Sequence, residues 1–114
     1  MTQVYNETQK QLLVGNARFA DTFKSRLIGL MGQTLAVNEG LIIRPCNSIH
    51  TCWMKIPIDV IFVNKDNVVL KVILNLNPWK MSSIVKNSAY VVEALPGTFD
   101  SVNVGDVVGV GKYV

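Results

Sequence analysis

The chain has 114 residues, 49% of them hydrophobic and 17% charged, a composition that fits a single compact domain with its own core and excludes a disordered chain. The net charge of +3 lies in the first half, where Lys10, Arg18, Lys24, Arg26, Arg44 and Lys55 stand against Glu7, Asp21 and Glu39; the six are scattered, so no basic run marks a nucleic-acid footprint. Met1 to Glu7 has no basic region followed by an apolar core, and no apolar run approaches the roughly 18 residues of a spanning helix; the expected location is the cytoplasm, without a membrane or nucleic-acid partner.

In chain order, residues 1–9 are polar and read as a flexible N-terminus or a frayed edge strand. Residues 10–114 read as a single β domain. Leu12-Leu13-Val14, Ala17 and Phe19 predict an early strand, interrupted near Gly15-Asn16 by a turn or bulge. Asp21 or Thr22 is placed to cap one short helix, about residues 22–31. In it Phe23, Leu27, Leu30 and Met31 share a face, and Gly32 is placed to end it. Gly40 to Ile43 follows as a short buried strand.

The chemistry-bearing residues concentrate between Pro45 and Val63. Both cysteines, the only histidine and one of the two tryptophans lie here. Read as a strand, this stretch puts Cys46, Ser48, His50, Cys52 and Met54 on one face. Pro57 lacks an N–H and predicts a corner near Ile56, after which Ile58 to Val63 begins a second run with Asp59 at its mouth. An extended backbone holds the two thiols about 20 Å apart, too far for a disulfide.

Lys65-Asp66-Asn67 divides Ile58–Val63 from Val68–Leu74 and predicts a hairpin, with Asn67 at positive φ. Asn77-Pro78-Trp79-Lys80 ends that arm, and residues 81–88 read as a polar loop. Tyr90 to Leu95 reads as a strand closed by Pro96-Gly97, and Gly105-Asp106 turns into a last strand, Val107 to Val110. Six to seven short strands and one helix predict a mainly β fold, a small sandwich or barrel.

Several short motifs now stand in order. They are Gly29-Leu30-Met31-Gly32, Cys46-Asn47-Ser48-Ile49-His50-Thr51 with Met54, Pro57 to Phe62, Pro78-Trp79, Glu93 with Pro96-Gly97, and Gly105-Asp106. Together they make the chain resemble the prokaryotic family called domain of unknown function 192, over roughly residues 12–110. The resemblance implies a small, mostly β barrel or sandwich with one short helix, and it implies no activity. Cys52 and Trp53 stand where related sequences often have other apolar or aromatic residues, so chemistry on Cys52 would not be shared by the family.

Three chemistries compete for the central stretch. A recognition patch of His50, Thr51, Lys55, Asp59 and Trp79 offers an aromatic surface with convergent polar groups, suited to a small molecule or a peptide. In that reading Asp59 meets His50, Lys55, Arg26 or backbone N–H groups, since an unpaired carboxylate among Ile58, Val60 and Ile61 is costly to bury. A thiol hydrolase or transferase would use Cys46 as nucleophile and His50 as base, provided a bend brings them together. A copper or zinc site would draw on His50, Cys52 and Met54 and would need ligands from elsewhere. Glu93, alone in an apolar strand, reads as an ion-pair partner of Arg26 or Arg44. The favoured reading is a small ligand- or peptide-binding β module with its site near His50 and Asp59 and with no cofactor.

Overall fold

In the computed structural model, residues 1–114 are described apart from Gln33 and the side chains of Phe23 and Leu27. The apolar runs form seven strands and one helix: β1 (Thr2–Asn6), β2 (Gln11–Ala20), α1 (Phe23–Ile28), β3 (Glu39–Ile43), β4 (Ile58–Asn64), β5 (Val69–Leu76), β6 (Ser88–Ala94) and β7 (Val108–Gly111). They make one mainly β sheet in the order β5-β4-β6-β3-β2-β1-β7. The β2–β3 pair is parallel, so a crossover must join these strands, and α1 lies within it.

The sheet curls until its edges meet at one end. Val68 bridges Val107, and Gly105 and Val108 donate to the carbonyls of Val69 and Asn67 at 2.8 and 2.9 Å. The first residues do not fray. β1 is paired to β2 on one side and β7 on the other, and Val4 is fully buried. The polar side chains that suggested a loose terminus have long-range partners instead. Asp106 Oδ2 accepts from Asn6 Nδ2 at 2.9 Å, Gln9 Nε2 at 2.8 Å and the Asn103 N–H at 2.9 Å. These donors, the Asn103 N–H foremost, hold the Asp106 carboxyl below its ordinary value.

The interruption expected in β2 is a bulge: the single residue of β1 between Thr2 and Val4 stands against two of β2, Gly15 and Asn16, between Val14 and Ala17. At the bulge the Gly15 N–H donates to the Asn38 side chain at 2.8 Å. A Cβ at Gly15 would collide with that side chain. Thr22 caps α1 in a reciprocal pair with Ser25. The helix ends at Gly29, φ 49°, three residues earlier than Gly32, because the first glycine able to take a positive φ reverses the backbone. The helical face assigned to Phe23 and Leu27 lies outside the described residues.

The three central strands β3, β4 and β6 are buried on both faces, so their alternation sorts side chains between two cores. Ile42, Ile61, Val63, Val92 and Ala94 face the interior of the curl, with Val4, Val14 and Phe99. Leu41, Ile43, Val60, Phe62 and Val91 face the other way, under Leu30, Ile49 and Met54. This second layer is covered by α1 and by residues 44–57, and it positions the candidate site.

Candidate functional site

Residues 44–57 are not a strand. Apart from the single bridge of His50 with Met81, this segment is a loop zipped to residues 77–89. Thr51 donates its N–H to the Lys80 carbonyl at 2.8 Å, Val85 donates to the Asn47 carbonyl at 2.8 Å, and Cys46 donates to the Ala89 carbonyl at 3.2 Å. The turn after Thr51 carries Trp53 at φ 65°, which breaks the two-residue alternation. Upstream of that turn the segment is already irregular, and Cys46, Asn47, Ser48, Ile49 and His50 all line one cavity, where a strand would have sent alternate members to the opposite face.

That cavity has a volume of about 270 Å³. Its floor is the outer face of the sheet, through Ile43 of β3 and Glu93 of β6; α1 and the turn after it supply Arg26, Leu30 and Met31. The loop closes the remainder. The walls are apolar, with a few convergent polar groups.

Glu93 is the unusual member. It is 2% exposed, and its cross-strand neighbours are Leu41 and Val60. Among the described residues its carboxyl has neither a hydrogen bond nor an ion pair. The ion pair expected with Arg44 or Arg26 is absent from the described residues because both cations are engaged elsewhere. Arg44 lies 3.5 Å from the Asp21 carboxylate and stacks on the Phe19 ring at 4.1 Å, while Arg26 Nη1 donates to the Asp21 carbonyl at 3.3 Å. Burial drives the Glu93 carboxyl up to about 8 against the partial pull of the Arg18 charge. A titratable group shifted by desolvation in the wall of a cavity marks a candidate site.

Asp59 does not join His50. It follows Ile58 and precedes Val60 on β4, so it faces the interior of the curl, opposite Ala94. Its carboxylate is 1% exposed and accepts three backbone N–H groups: Asn75 at 2.9 Å on Oδ1, and Gly97 at 2.9 Å and Phe99 at 3.2 Å on Oδ2. Of the partners expected for it, backbone N–H groups are the ones it has. Asn75 sits at φ 55° where β5 bulges against β4, and Gly97 and Phe99 belong to the turn after β6. Asp59 is therefore a clamp on the β5 bulge and the turn after β6, on the opposite face from the cavity.

The other expected site residues separate as well. Thr51 is fully buried; its Oγ1 donates to the Asn77 carbonyl at 2.7 Å and accepts from the Lys80 N–H at 2.8 Å, stapling the two loops. Lys55 is exposed and off the cavity wall. Trp79, 59% exposed, packs edge-on against Trp53 with ring centroids 4.7 Å apart. Only His50 of that set lines the cavity.

For thiol chemistry, Cys46 and His50 share the cavity, but neither faces the other as a reactive pair. Cys46 Sγ donates to the Ser48 carbonyl at 3.0 Å, and His50 Nδ1 accepts the Cys52 N–H at 3.2 Å, which places the proton of a neutral imidazole on Nε2. Burial pushes the Cys46 thiol up, the Glu93 charge acts the same way, and Arg26 opposes them. Cys46 in a Cys52→Ser background should therefore react with iodoacetamide at pH 7 at least tenfold more slowly than free cysteine. Labelling as fast as free cysteine would show a thiolate that this geometry does not provide. For a metal, His50 and Met54 line the cavity and Cys52 does not. No cluster of three or more His, Cys, Asp or Glu suited to an ion occurs among the described residues.

The family profile of DUF192, described as an uncharacterized ACR, matches residues 4–110. The chain belongs to DUF192. A curated relative, a UPF0127 protein of Pyrococcus furiosus, is 34% identical over 107 residues, covering 89% of this chain and 91% of the relative. Another UPF0127 protein, from Thermococcus sibiricus, is 33% identical over 109 residues, 89% of this chain and 70% of the relative. Among solved structures, a protein of unknown function from Novosphingobium aromaticivorans superposes with a TM-score of 0.81 at 25% identity, over 95% of this chain and 82% of that one. DUF192 membership thus fixes the family and the fold without bringing a reaction. No helix among the described residues is long and apolar enough to cross a membrane.

Proposed function

We propose that this DUF192 chain is a small-molecule-binding module whose site is the cavity between α1, the 44–57 loop and the outer face of the sheet. The observation that carries this reading is Glu93: a carboxyl without a hydrogen bond or ion pair among the described residues, 2% exposed, in the wall of a mostly apolar hollow. No fully sealed side-chain oxygen among the described residues lacks a partner, so the Glu93 carboxyl reaches the cavity space. A nearly buried acid without a protein donor is expensive for a fold to keep, and a ligand with a complementary group removes the expense. The volume of about 270 Å³ lies just under the roughly 300–1,000 Å³ range of drug-sized pockets, which favours a small molecule over a peptide. His50 contributes an Nε2–H in its neutral form, and Arg26 stands at the helix wall.

A fragment screen followed by amide chemical shifts tests the reading. Binders should move the amides of Cys46, Asn47, Ile49 and Glu93 together, and Met31→Trp, which projects bulk from the wall, should reduce their affinity at least tenfold. A screen whose hits leave those four amides still, or bind the tryptophan variant equally well, would count against the cavity as the site.

A further inference from the structure

We infer that the ligand of this cavity carries a primary ammonium group, which sits against the Glu93 carboxylate while its apolar remainder lies along Leu30, Ile43, Ile49 and Met54. The inference rests on the cavity being a binding site and adds the class of molecule.

What Glu93 lacks is a donor. A carboxylate offers about four lone-pair positions, and none is met by an N–H or O–H of the described residues. The neighbouring thiol cannot serve, since the Cys46 hydrogen is directed at the Ser48 carbonyl. The charged and titratable groups around Glu93 are Arg18 of β2, Arg26 of α1, and Cys46 and His50 of the loop. Arg18 lowers the acidity penalty only in part, and the influence of Arg26 falls on Cys46. β3 and β4 present apolar side chains, Leu41, Ile43 and Val60, on this face.

A primary ammonium supplies three donors and a full positive charge to such a site. Beside a carboxyl only 2% exposed, that charge counts for more than it does at a surface. A ligand carboxylate would meet a neutral acid below pH 8 and like charge above it, with no ion pair in either range, and a hydroxyl would bring one donor and no charge. With the Glu93 carboxyl at about 8, the free protein holds a proton there at pH 7. Binding an ammonium releases that proton to solvent as the ion pair forms. Affinity therefore rises about tenfold per pH unit below 8 and levels off above it.

Calorimetry with n-hexylammonium, n-hexanol and n-hexanoate on the whole chain at pH 6, 7, 8 and 9 tests this. At pH 8 the ammonium should bind at least tenfold more tightly than the alcohol, with hexanoate weakest. From pH 6 to 8 ammonium affinity should rise about 50-fold, because the carboxyl goes from about one-hundredth to one-half ionised, with a heat that varies with the ionisation enthalpy of the buffer. Glu93→Gln should cut the ammonium-to-alcohol affinity ratio at least tenfold. If hexanol binds as tightly as hexylammonium, or ammonium affinity is flat with pH, the cation inference is overturned while the cavity reading stands. If none of the three binds, both fall.

Discussion

Glu93→Gln should make the protein more stable at neutral pH. The folded chain holds this carboxyl at about 8, whereas its ordinary value is 4.5. Between these two values the folded state binds more protons than the unfolded one, so stability falls as pH rises through the window and is constant above it. The glutamine variant does not titrate and escapes that loss. Its advantage is small at pH 5, grows to about 3 kcal/mol at pH 7 and stops growing above pH 8. That corresponds to a rise in Tm on the order of 10 °C for a domain of this size. The buried amide of the variant is no better satisfied than the protonated acid it replaces, so the neutral forms are closely matched. Urea unfolding at pH 5, 7 and 8.5 measures the difference. A variant that is less stable throughout would mean that the carboxylate has partners whose loss outweighs its burial.

In the proposed reading, Glu93 costs the fold stability in return for a role in the cavity. Many stabilising substitutions are neutral, but those at a site held in a costly state carry a loss of function. Gain of stability together with loss of ammonium preference in a single substitution would separate Glu93 from an acid that merely tolerates burial.

Asp59→Ala should do the opposite, with a loss of about 3–5 kcal/mol. Three N–H groups, of Asn75, Gly97 and Phe99, converge on its two oxygens. Removing the carboxylate orphans all three in a part of the molecule where Phe99 and Ala94 are fully buried. Asp59→Asn keeps the volume but turns one oxygen into a donor, which opposes an N–H, and it should cost about 2 kcal/mol. Under conditions where the variants remain folded, ligand affinity at the cavity should change less than threefold, since Asp59 lies on the other face of the sheet. Urea midpoints and the hexylammonium titration check the two halves of this expectation. A stable Asp59→Ala protein with lost affinity would return Asp59 to the site.

These two acids show where local reading succeeds and where it stops. The hairpin at Lys65-Asp66-Asn67 is legible because its determinants are contiguous. Asn67 takes φ 65°, and the Asn64 side chain accepts the N–H groups of Asp66 and Val68 at 2.9 Å each. The cap at Thr22 is legible for the same reason. The corner at Pro57 is too, since β4 begins one residue later. The 46–54 stretch imitates a strand in its alternation, yet its backbone partners come singly from residues 77–89, which no local pattern announces.

The site depends on register. Asp59 faces Ala94 and Val60 faces Glu93 across β4 and β6, so two acids one step apart in the pairing land on opposite faces. Nearness in sequence makes His50 one of the partners expected for Asp59, with Lys55, Arg26 and backbone N–H groups, and the pairing selects the last. Glu93, 43 positions from His50, reaches the same cavity only through the β3–β6 pairing. Its sequence signal, an acid alternating with Val91 in an apolar strand, was visible. What was hidden is that Arg44 is held by Asp21 and Phe19 and that Arg26 turns to the Asp21 carbonyl, leaving Glu93 to the cavity.

The most direct test is a carbon-detected NMR titration of the Glu93 side-chain carboxyl in the free protein. A midpoint near 8 is expected, moving downward when hexylammonium is bound. A midpoint near 4.5 would show a solvated or well-partnered carboxylate, contradicting the buried, donor-seeking acid on which the binding site is built.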